Sequence, residues 1–250
     1  MDHSKKQSQE SDHYFGKIEL SIGENSLESY NKFIIKKFIQ HANIQYENKV
    51  REEAQILDFG AGIGSLAMIW KEMSGQSVEC LEIDPIQIGE ITKRGFICWN
   101  SIEKIPHKFD FIYTSNVLEH IEDDIESLKN LAYILESNCR IGIYVPAFNI
   151  LFSDLDRSVG HYRRYSKKEL VNKVSISGFK VVYCQYVDSI GFFASLLIKI
   201  LGWKSVGNIG SPQSLKLYDK FIFPISRIID RITLGRLLGK NLIMIAEKSL

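Results

Sequence analysis

Seven short apolar runs in the last four-fifths of the chain constrain its fold more than any other feature. Each run is rich in β-branched or aromatic residues and is short enough to be a strand. Longer amphipathic stretches, such as GSLAMIWKEMSG and DDIESLKNLAYILES, separate the earlier runs and suit crossover helices. This alternation predicts an α/β fold with a mainly parallel sheet and helices on both faces. The runs are QILDFG, SVECLEI, GFICWN, FDFIYTSN, CRIGIYVP, FKVVYCQYV and NLIMIAEK.

The composition fits one globular domain of this kind and excludes several other classes. The chain has 250 residues, of which 45% are hydrophobic and 24% charged, so a sizeable core is available. Its formal net charge of +1 argues against nucleic acid as a partner. The polar start, MDHSKKQSQESDHYFGK, lacks the apolar core of a signal peptide. We therefore expect a cytoplasmic protein whose residues 1–11 form a loose tail.

The four cysteines do not predict a disulfide framework or a metal site. Cys80, Cys98, Cys139 and Cys184 are far apart in the sequence, and they form no CxxC pair. Each lies in one of the predicted strands. We expect buried free thiols in a reducing compartment and predict no zinc site or other metal site.

The apolar pattern divides the chain into four parts of a single domain, residues 1–250. Before the first strand, SLESYNKFIIKKFIQHANI has apolar residues at helical spacing, and Asn25 and Glu28 have the spacing of a capping box. Between the sixth and seventh strands, a long connection interrupts the alternation. The parts are a tail and helical cap (1–50), a core (51–187), an apolar helical insertion (188–240) and the last strand (241–250).

A glycine-rich stretch, ILDFGAGIGSLAMIW, joins the first predicted strand to a helix. Glycine tolerates a positive φ and lets a ligand approach the backbone, and the helix N-terminus offers unpaired N–H groups. In the dinucleotide fingerprint GxGxxG, the third glycine would follow Gly60 and Gly62 at position 65, where Ser65 stands. A nucleotide-like cofactor other than NAD is therefore favoured, and an NAD-dependent oxidoreductase is the weaker alternative.

Acidic residues end the first two strands. Asp58 is placed to meet the cationic amino-acid part of a ligand, directly or through water. Glu82 lies near the end of the second strand and could accept both hydroxyls of a ribose. Asp84 is the competing residue for that contact.

Residues 55 to about 187 resemble a class I S-adenosylmethionine-dependent methyltransferase. ILDFGAGIG matches the first motif of that family, and LEIDP matches its acidic second motif. KFDFIYTSNVLEHIEDD resembles the segment around the fourth strand. GHYRRYSKKEL, which precedes SGFKVVYC, resembles a subgroup associated with sugar and lipid pathways.

This resemblance implies a Rossmann-like sheet of seven strands whose last strand is antiparallel, with S-adenosylmethionine as the cofactor. It implies that the glycine turn holds the methionine part and that the segment after the third strand lies near adenine. Backbone after the fourth strand would lie near the transferred methyl group. The predicted cofactor-binding residues are Asp58, Gly60, Ala61, Gly62, Gly64, Glu82, Ile83, Asn100, Ser101, Asn116, Val117 and Glu119.

Two histidines are candidates for acid–base chemistry. Methyl transfer to oxygen needs a positioned acceptor and a base that removes its proton. His120 follows the fourth strand and is our first candidate, although EHIEDD could simply begin the next helix. His161 is the rival candidate. Glu119 could contact the cofactor amine or supply charge at a helix start.

The segment GHYRRY combines phenol and guanidinium groups ahead of a helix that Ser166 and Glu169 are spaced to begin. Arginine suits bidentate contact with phosphate or carboxylate. We predict that Tyr162, Arg163 and Arg164 face an anionic acceptor, such as a phosphate-bearing lipid-linked sugar. The alternative is a surface ion-pair cluster with Asp154 and Asp156.

The insertion carries two apolar segments, SIGFFASLLIKILGW and LYDKFIFPISRIIDRITLGRLL. The first contains Lys199 and is shorter than the roughly 20 residues that a spanning helix needs. The second mixes basic residues with aromatic and aliphatic ones, which is typical of helices at an anionic membrane surface. Three alternatives follow for residues 188–240: a lid over a hydrophobic acceptor, a peripheral anchor at the inner membrane face, or core.

Together these features predict transfer of a methyl group to a small-molecule, saccharide or lipid-linked acceptor, with oxygen as the preferred target atom. The competing class is a non-catalytic partner protein that keeps the fold as a scaffold. The sequence predicts no nucleic-acid partner and no particular oligomeric state.

Overall fold

A seven-stranded sheet forms the centre of the molecule in a computed structural model, which describes residues 25–43, 45–46, 49–50, 54–200, 211–233 and 235–249. The predicted tail, 1–11, lies outside these residues. The strands are β1 (Gln45–Tyr46), β2 (Lys49–Val50), β3 (Ile56–Phe59), β4 (Glu79–Leu81), β5 (Cys98–Trp99), β6 (Phe109–Ser115), β7 (Leu135–Pro146), β8 (Phe179–Val187) and β9 (Asn241–Lys248).

Helices and single turns connect these strands. Short 3₁₀ turns cover Ile102–Lys104, Leu118–His120 and Asn149–Leu151, and a π-helical turn covers Tyr218–Ile222. The α-helices are α1 (Glu28–His41), α2 (Ser65–Ser74), α3 (Pro85–Lys93), α4 (Asp124–Ile134), α5 (Asp154–Ser158), α6 (Lys167–Ile176), α7 (Ser189–Ile200), α8 (Pro212–Leu217) and α9 (Phe223–Ile232). Within the described ranges, no helix combines the length and the apolar character needed to cross a membrane.

The order of the large sheet is β5-β4-β3-β6-β7-β9-β8. The first five of these strands pair in parallel, and β9 is antiparallel to both of its neighbours. This arrangement confirms the Rossmann-like fold, including the antiparallel last strand. The four cysteines are free and lie in strands β4, β5, β7 and β8, as predicted, but only Cys80 of the four is buried.

Apolar side chains cover both faces of the sheet. On one face, Trp70 of α2 stacks on Tyr113 of β6 with ring centroids 5.1 Å apart. Phe38 of α1 packs on the same face, where a Cβ at Gly142 would lie only 2.6 Å from its ring. On the other face, α4 and α6 bury leucine and valine side chains against the sheet. Both faces are thus closed, which explains why the parallel strands are apolar throughout.

The start of α1 differs from the sequence prediction. Instead of a capping box from Asn25 and Glu28, the carboxylate of Asp219 accepts hydrogen bonds from the N–H groups of Ser29 and Tyr30, both at 2.8 Å. A carboxylate at this end satisfies free N–H groups and interacts favourably with the helix dipole. Because Asp219 is 190 positions from Ser29, the cap ties the insertion to the N-terminal helix.

The insertion leaves and re-enters the sheet at one edge. Strand β8 runs in the same direction as β7, since both are antiparallel to β9. The end of β8 and the start of β9 therefore lie at the edge that holds the carboxyl ends of the parallel strands. Asp188, which follows β8 with φ of 69°, accepts hydrogen bonds from Gly191 N–H at 3.0 Å and the Ser226 hydroxyl at 2.9 Å. Asp230 accepts from the N–H of Asp188 at 2.7 Å.

Candidate cofactor and acceptor site

The glycine turn requires glycine for two reasons. Gly60, Gly62 and Gly64 have φ values of 74°, 58° and 80°, in the left-handed region. A Cβ at Gly60 would also lie 2.4 Å from Cγ2 of Val117. The loop after β6 therefore packs directly against the turn, as the family resemblance implies.

Glu82 ties the end of β4 to this turn. Its Oε2 accepts a hydrogen bond from Gly62 N–H at 2.8 Å, and its Oε1 accepts from the N–H groups of Ile83 at 2.8 Å and Asp84 at 3.1 Å. The competing acid, Asp84, instead caps α3 by accepting from Ile86 N–H at 2.8 Å. Of the two predicted acids, Glu82 is therefore the one that faces the glycine turn.

Asp58 is buried at the end of β3. Burial raises the pKa of its carboxyl group to about 8, while the Tyr113 hydroxyl lowers that pKa and the charge of Glu82 raises it further. Oδ2 of Asp58 has no hydrogen-bond partner among the described residues. The carboxyl group thus offers an unused acceptor beside the turn, as a ligand with a cationic part requires.

The remaining predicted cofactor residues lie at the same edge of the sheet. Ile83 is exposed after β4, and Asn100 and Ser101 follow β5. Asn116 follows β6 with φ of 54°, and its N–H donates to the carbonyl oxygen of Tyr144 at 2.8 Å. Four adjacent strands, β5, β4, β3 and β6, therefore bring the predicted residues together.

A second group of predicted residues forms a cluster next to this edge. The imidazole rings of His120 and His161 have centroids 4.6 Å apart and cross at 81°. Nε2 of His161 lies 4.0 Å from Oε1 of Glu119. The N–H of Tyr162 donates to the carbonyl oxygen of Glu119 at 2.8 Å, which fixes the two segments to each other. The two histidines that the sequence offers as rivals are neighbours in space.

Asp156 orients one of these histidines. Its Oδ1 lies 2.9 Å from Nδ1 of His161 and accepts a hydrogen bond from Nε of Arg164 at 2.7 Å. Burial opposes ionisation, but the hydrogen bond from His161 and the charge of Arg164 hold the Asp156 pKa well below its usual range. Ser153 N–H donates to Oδ2 at 2.8 Å. The acid is therefore a fixed anion that holds the His161 ring in one orientation.

The pKa values of Glu119 and His120, which belong to the same cluster, shift in opposite directions. Burial raises the pKa of Glu119 to about 8. Partial burial and the neighbouring His161 lower the pKa of His120 to about 4, so its imidazole is neutral near pH 7 although part of the residue is exposed. His120 is consequently a weak proton acceptor near pH 7.

Both arginines of GHYRRY form internal contacts. Nη1 of Arg163 lies 2.8 Å from Oδ2 of Asp124, and its Nη2 donates to the carbonyl oxygen of Glu122 at 2.7 Å. Arg164 is buried against Asp156. These contacts favour the ion-pair alternative, although the Arg164 pair is buried and is not part of a surface cluster. Tyr162 is the exposed member of the predicted trio.

Sequence reasoning missed two acids that organise this region. Asp124 begins α4 and accepts hydrogen bonds from the hydroxyl of Tyr165 at 2.7 Å and from Nζ of Lys173 at 2.7 Å. Asp156 appeared only as a surface ion-pair partner. Its position five residues before His161 was the one available signal for an orienting role.

A model described as a methyltransferase domain matches residues 35–183, which is more than half of the chain. The chain belongs to this methyltransferase family. It is an S-adenosylmethionine-dependent methyltransferase, and the glycine turn with Glu82 and the unpaired Asp58 oxygen fit that cofactor. Among curated proteins, no relative matches significantly.

Solved structures share the fold at low sequence identity. A SAM-dependent methyltransferase from Archaeoglobus fulgidus is 17% identical, with a TM-score of 0.54 over 87% of this chain and 92% of that one. The magnesium protoporphyrin IX methyltransferase of Synechocystis PCC 6803, with bound SAH, is 11% identical, with a TM-score of 0.55 over 90% and 85%. The [4+2]-cyclase SpnF is 12% identical, with a TM-score of 0.57 over 88% and 82%. At such identities the likeness concerns the fold alone.

Proposed function

We propose that this methyltransferase methylates an oxygen atom of a lipid-linked acceptor, such as a lipid-linked saccharide, at an anionic membrane surface. The observation that carries this proposal is an apolar stripe on α9 that faces away from the core. Ile225, Ile228, Ile229 and Ile232 follow the spacing i, i+3, i+4, i+7, and all four are exposed. A large exposed apolar face marks a binding surface.

The buried positions of α9 show which way the stripe points. Phe223, Ser226 and Asp230 are buried, so the isoleucines lie on the opposite side of the helix. Exposed apolar residues on the neighbouring elements extend this surface. They are Phe193, Leu197, Ile198, Ile200, Leu217, Phe221 and Ile222.

Positive charge beside the stripe favours an anionic lipid surface over a protein partner. Lys220 and Arg231 are exposed on the same helical segment, and Arg227 lies over the ring of Phe33 at 4.7 Å. Basic residues that flank an apolar face suit the headgroup region of an anionic membrane. Because residues 188 and 240 both lie at the carboxyl edge of the sheet, a surface-bound insertion would bring a lipid-linked acceptor to the cofactor site.

The cofactor half of the site is assigned as the sequence predicts. Glu82 would hold the ribose, and Asp58 with the glycine turn would hold the methionine part. Asn100 and Ser101 would contact adenine, while Asn116, Val117 and Glu119 would lie beside the methyl group. Bound S-adenosylmethionine supplies an electrophilic methyl group on a sulfonium centre. Tyr162, as the exposed member of its trio, would contact the acceptor, and Arg163 and Arg164 would position this loop.

The proton of the acceptor hydroxyl would go to the histidine pair. His161 is the better placed of the two because Asp156 fixes its ring and stabilises the imidazolium that forms. His120 would support the neighbouring ring through its edge-on contact. This assignment reverses the order of preference that the sequence suggests, and its support is the Asp156 contact.

The surface proposal is tested by sedimentation with phosphatidylcholine vesicles that contain or lack phosphatidylglycerol. We expect binding to the anionic vesicles, and at least about tenfold weaker binding when Ile225, Ile228 and Ile232 are all changed to serine. Ile176→Ser is the matched control, because Ile176 is 55% exposed and Ile225 is 53% exposed. Equal binding by all three proteins contradicts the proposal. So does dimerisation that the triple variant abolishes, which would assign the stripe to a second copy.

The acceptor is tested with S-adenosylmethionine that carries a labelled methyl group, incubated with the protein and fractionated cell lysate. We expect label in the organic extract and no label with Glu82→Ala. Label confined to polar small molecules or to protein contradicts a lipid-linked acceptor. Absence of label from every fraction, with cofactor binding intact, favours the scaffold alternative.

A further inference from the structure

We propose that Glu119, His120 and His161 bind a divalent transition-metal ion beside the cofactor site. One ligand atom from each residue, a carboxylate oxygen and two imidazole nitrogens, lies within 4.8 Å of the other two. Small side-chain rotations would bring all three to the about 2.0–2.2 Å that such ions require. The site joins the loop after β6 to the loop before α6, so neither segment alone would reveal it.

The carboxylate of Glu119 is the strongest sign of a missing partner. The side chain is fully buried, and neither of its oxygens has a hydrogen bond from any described residue. Burying such a group without a partner is unfavourable, and nearly all buried polar atoms in proteins are satisfied. A bound cation would accept lone pairs from these oxygens and so supply the missing partner.

His161 has the second contact that metal-binding histidines usually have. A histidine that binds a metal through one ring nitrogen commonly donates the other N–H to a carboxylate. Here Nδ1 of His161 lies 2.9 Å from Asp156, and Nε2 is on the side of Glu119, 4.0 Å from its Oε1. Asp156 is itself held by Ser153 and Arg164. The imidazole is thus oriented with its free nitrogen toward the unpaired carboxylate.

The neighbouring charges are compatible with a cation. The charge of Arg164 acts on Glu119, but Arg164 is already paired with Asp156 at 2.7 Å. The ring of His120 lies edge-on to that of His161, with centroids 4.6 Å apart, so one nitrogen of each ring can reach the same ion. His120 is also exposed, so an ion could enter from that side.

The donor set selects the class of ion. Two imidazole nitrogens and one carboxylate oxygen suit Zn²⁺, Fe²⁺, Co²⁺ or Mn²⁺, whereas Mg²⁺ and Ca²⁺ prefer oxygen ligands alone. Three protein ligands leave a coordination position open. An acceptor hydroxyl there would lose its proton more readily, and the proton would go to solvent, because a metal-bound His161 with Nδ1 on Asp156 cannot accept it. This chemical use rests on the proposed function, but metal binding itself does not.

Cobalt binding tests the site without any acceptor or methyl transfer. The protein is stripped with EDTA, dialysed and titrated with Co²⁺, while visible absorption reports the ligand field and calorimetry with Zn²⁺ reports affinity. We expect one saturable site per chain. Glu119→Gln, His120→Ala and His161→Ala should each weaken binding by more than about 100-fold, and Asp156→Asn by about 10–100-fold.

His107→Ala is the matched control, because His107 also lies beside a carboxylate, with Nε2 3.2 Å from Oε1 of Glu79, but outside the cluster. This control should bind Co²⁺ like the wild type. Thermal unfolding in EDTA establishes whether each variant folds. If Glu119→Gln does not fold, His120→Ala still tests the site, because His120 is exposed. Absence of saturable Co²⁺ binding, or equal affinity in the ligand variants and the control, overturns the proposal. Neither result depends on whether the lipid-linked acceptor is correct.

Discussion

The cofactor edge and the insertion arrange polar and apolar groups in opposite ways. At the cofactor edge, apolar strands lie inside and polar groups collect where the strands end. In the insertion, the buried positions include Asp188, Asp219 and Asp230, whereas isoleucines face outward. The edge follows the usual pattern of a globular protein in water. Hydrogen bonds to buried aspartates hold the insertion on the fold, while its exposed surface is apolar and unfavourable in water. This contrast is the basis of our proposal that the surface contacts a membrane.

The largest expected effect is at the glycine turn. Gly60→Ala combines a left-handed backbone with a Cβ only 2.4 Å from Val117, so we expect the free energy of unfolding to fall by about 2–5 kcal/mol. Gly75→Ala is the matched control: its φ is 76°, but its Cβ would meet nothing within 4 Å. It should lose only about 1–2 kcal/mol. Urea denaturation compares the two, and equal losses would show that Val117 does not restrict the turn.

A pH prediction concerns the buried acid beside that turn. The pKa of Asp58 is about 8 in the folded chain, against 3.8 for an ordinary aspartate, so the folded state keeps a proton that the unfolded state loses. Stability should therefore fall as pH rises from about 4 to 8, by up to about 1.4 kcal/mol per pH unit from this group. Asp58→Asn should remove that part of the decline. Urea denaturation at pH 5, 6.5 and 8 measures it.

The exposed Asp154→Asn is the control for this experiment and should keep the pH dependence of the wild type. Asp58→Asn should also bind S-adenosylhomocysteine more weakly, because the Asp58 carboxyl group can ionise when the cationic part of the ligand approaches, whereas an amide cannot. An unchanged slope in Asp58→Asn would show that other groups cause the decline.

Removing the hydrogen bonds between Asp219 of the insertion and the start of α1 should lower stability by a smaller amount. Asp219→Ala removes the carboxylate that accepts from the N–H groups of Ser29 and Tyr30. We expect a loss of about 1–3 kcal/mol, the range for a lost helix cap whose donors are partly buried. Hydrogen exchange should speed up at those two amides first. Unchanged exchange there would mean that the start of α1 does not depend on the insertion.

The smallest expected effect concerns one charge beside the stripe. Arg231→Gln should weaken binding to anionic vesicles by about fivefold, equivalent to about 1 kcal/mol for one basic residue at the surface. The exposed Lys129 of α4 lies on a different element, so Lys129→Gln serves as the control and should change binding little. A fivefold loss in both variants would indicate attraction by overall charge and not by this surface.

The sequence alone determined the features that depend only on residues within one segment of the chain. The alternating apolar runs predicted the sheet, and the structure confirms its seven strands. The glycine register excluded the dinucleotide fingerprint, and the family match agrees with S-adenosylmethionine. Ser166 begins α6 and accepts a hydrogen bond from Glu169 N–H, as its spacing predicts. Hydrophobic periodicity, turn conformation and local helix capping each depend on residues that are close in sequence, so each can be predicted from a single segment.

Only the tertiary structure decided which distant residues meet. It joined His161 to Glu119 and His120, and it buried Arg164 against Asp156 where a surface contact was one expectation. It replaced a local cap of α1 with Asp219. It also turned the isoleucines of α9 outward, although the same pattern suits a core helix. Hydrophobic spacing specifies that a helix has an apolar face, but the polar groups that other segments supply decide which face is buried.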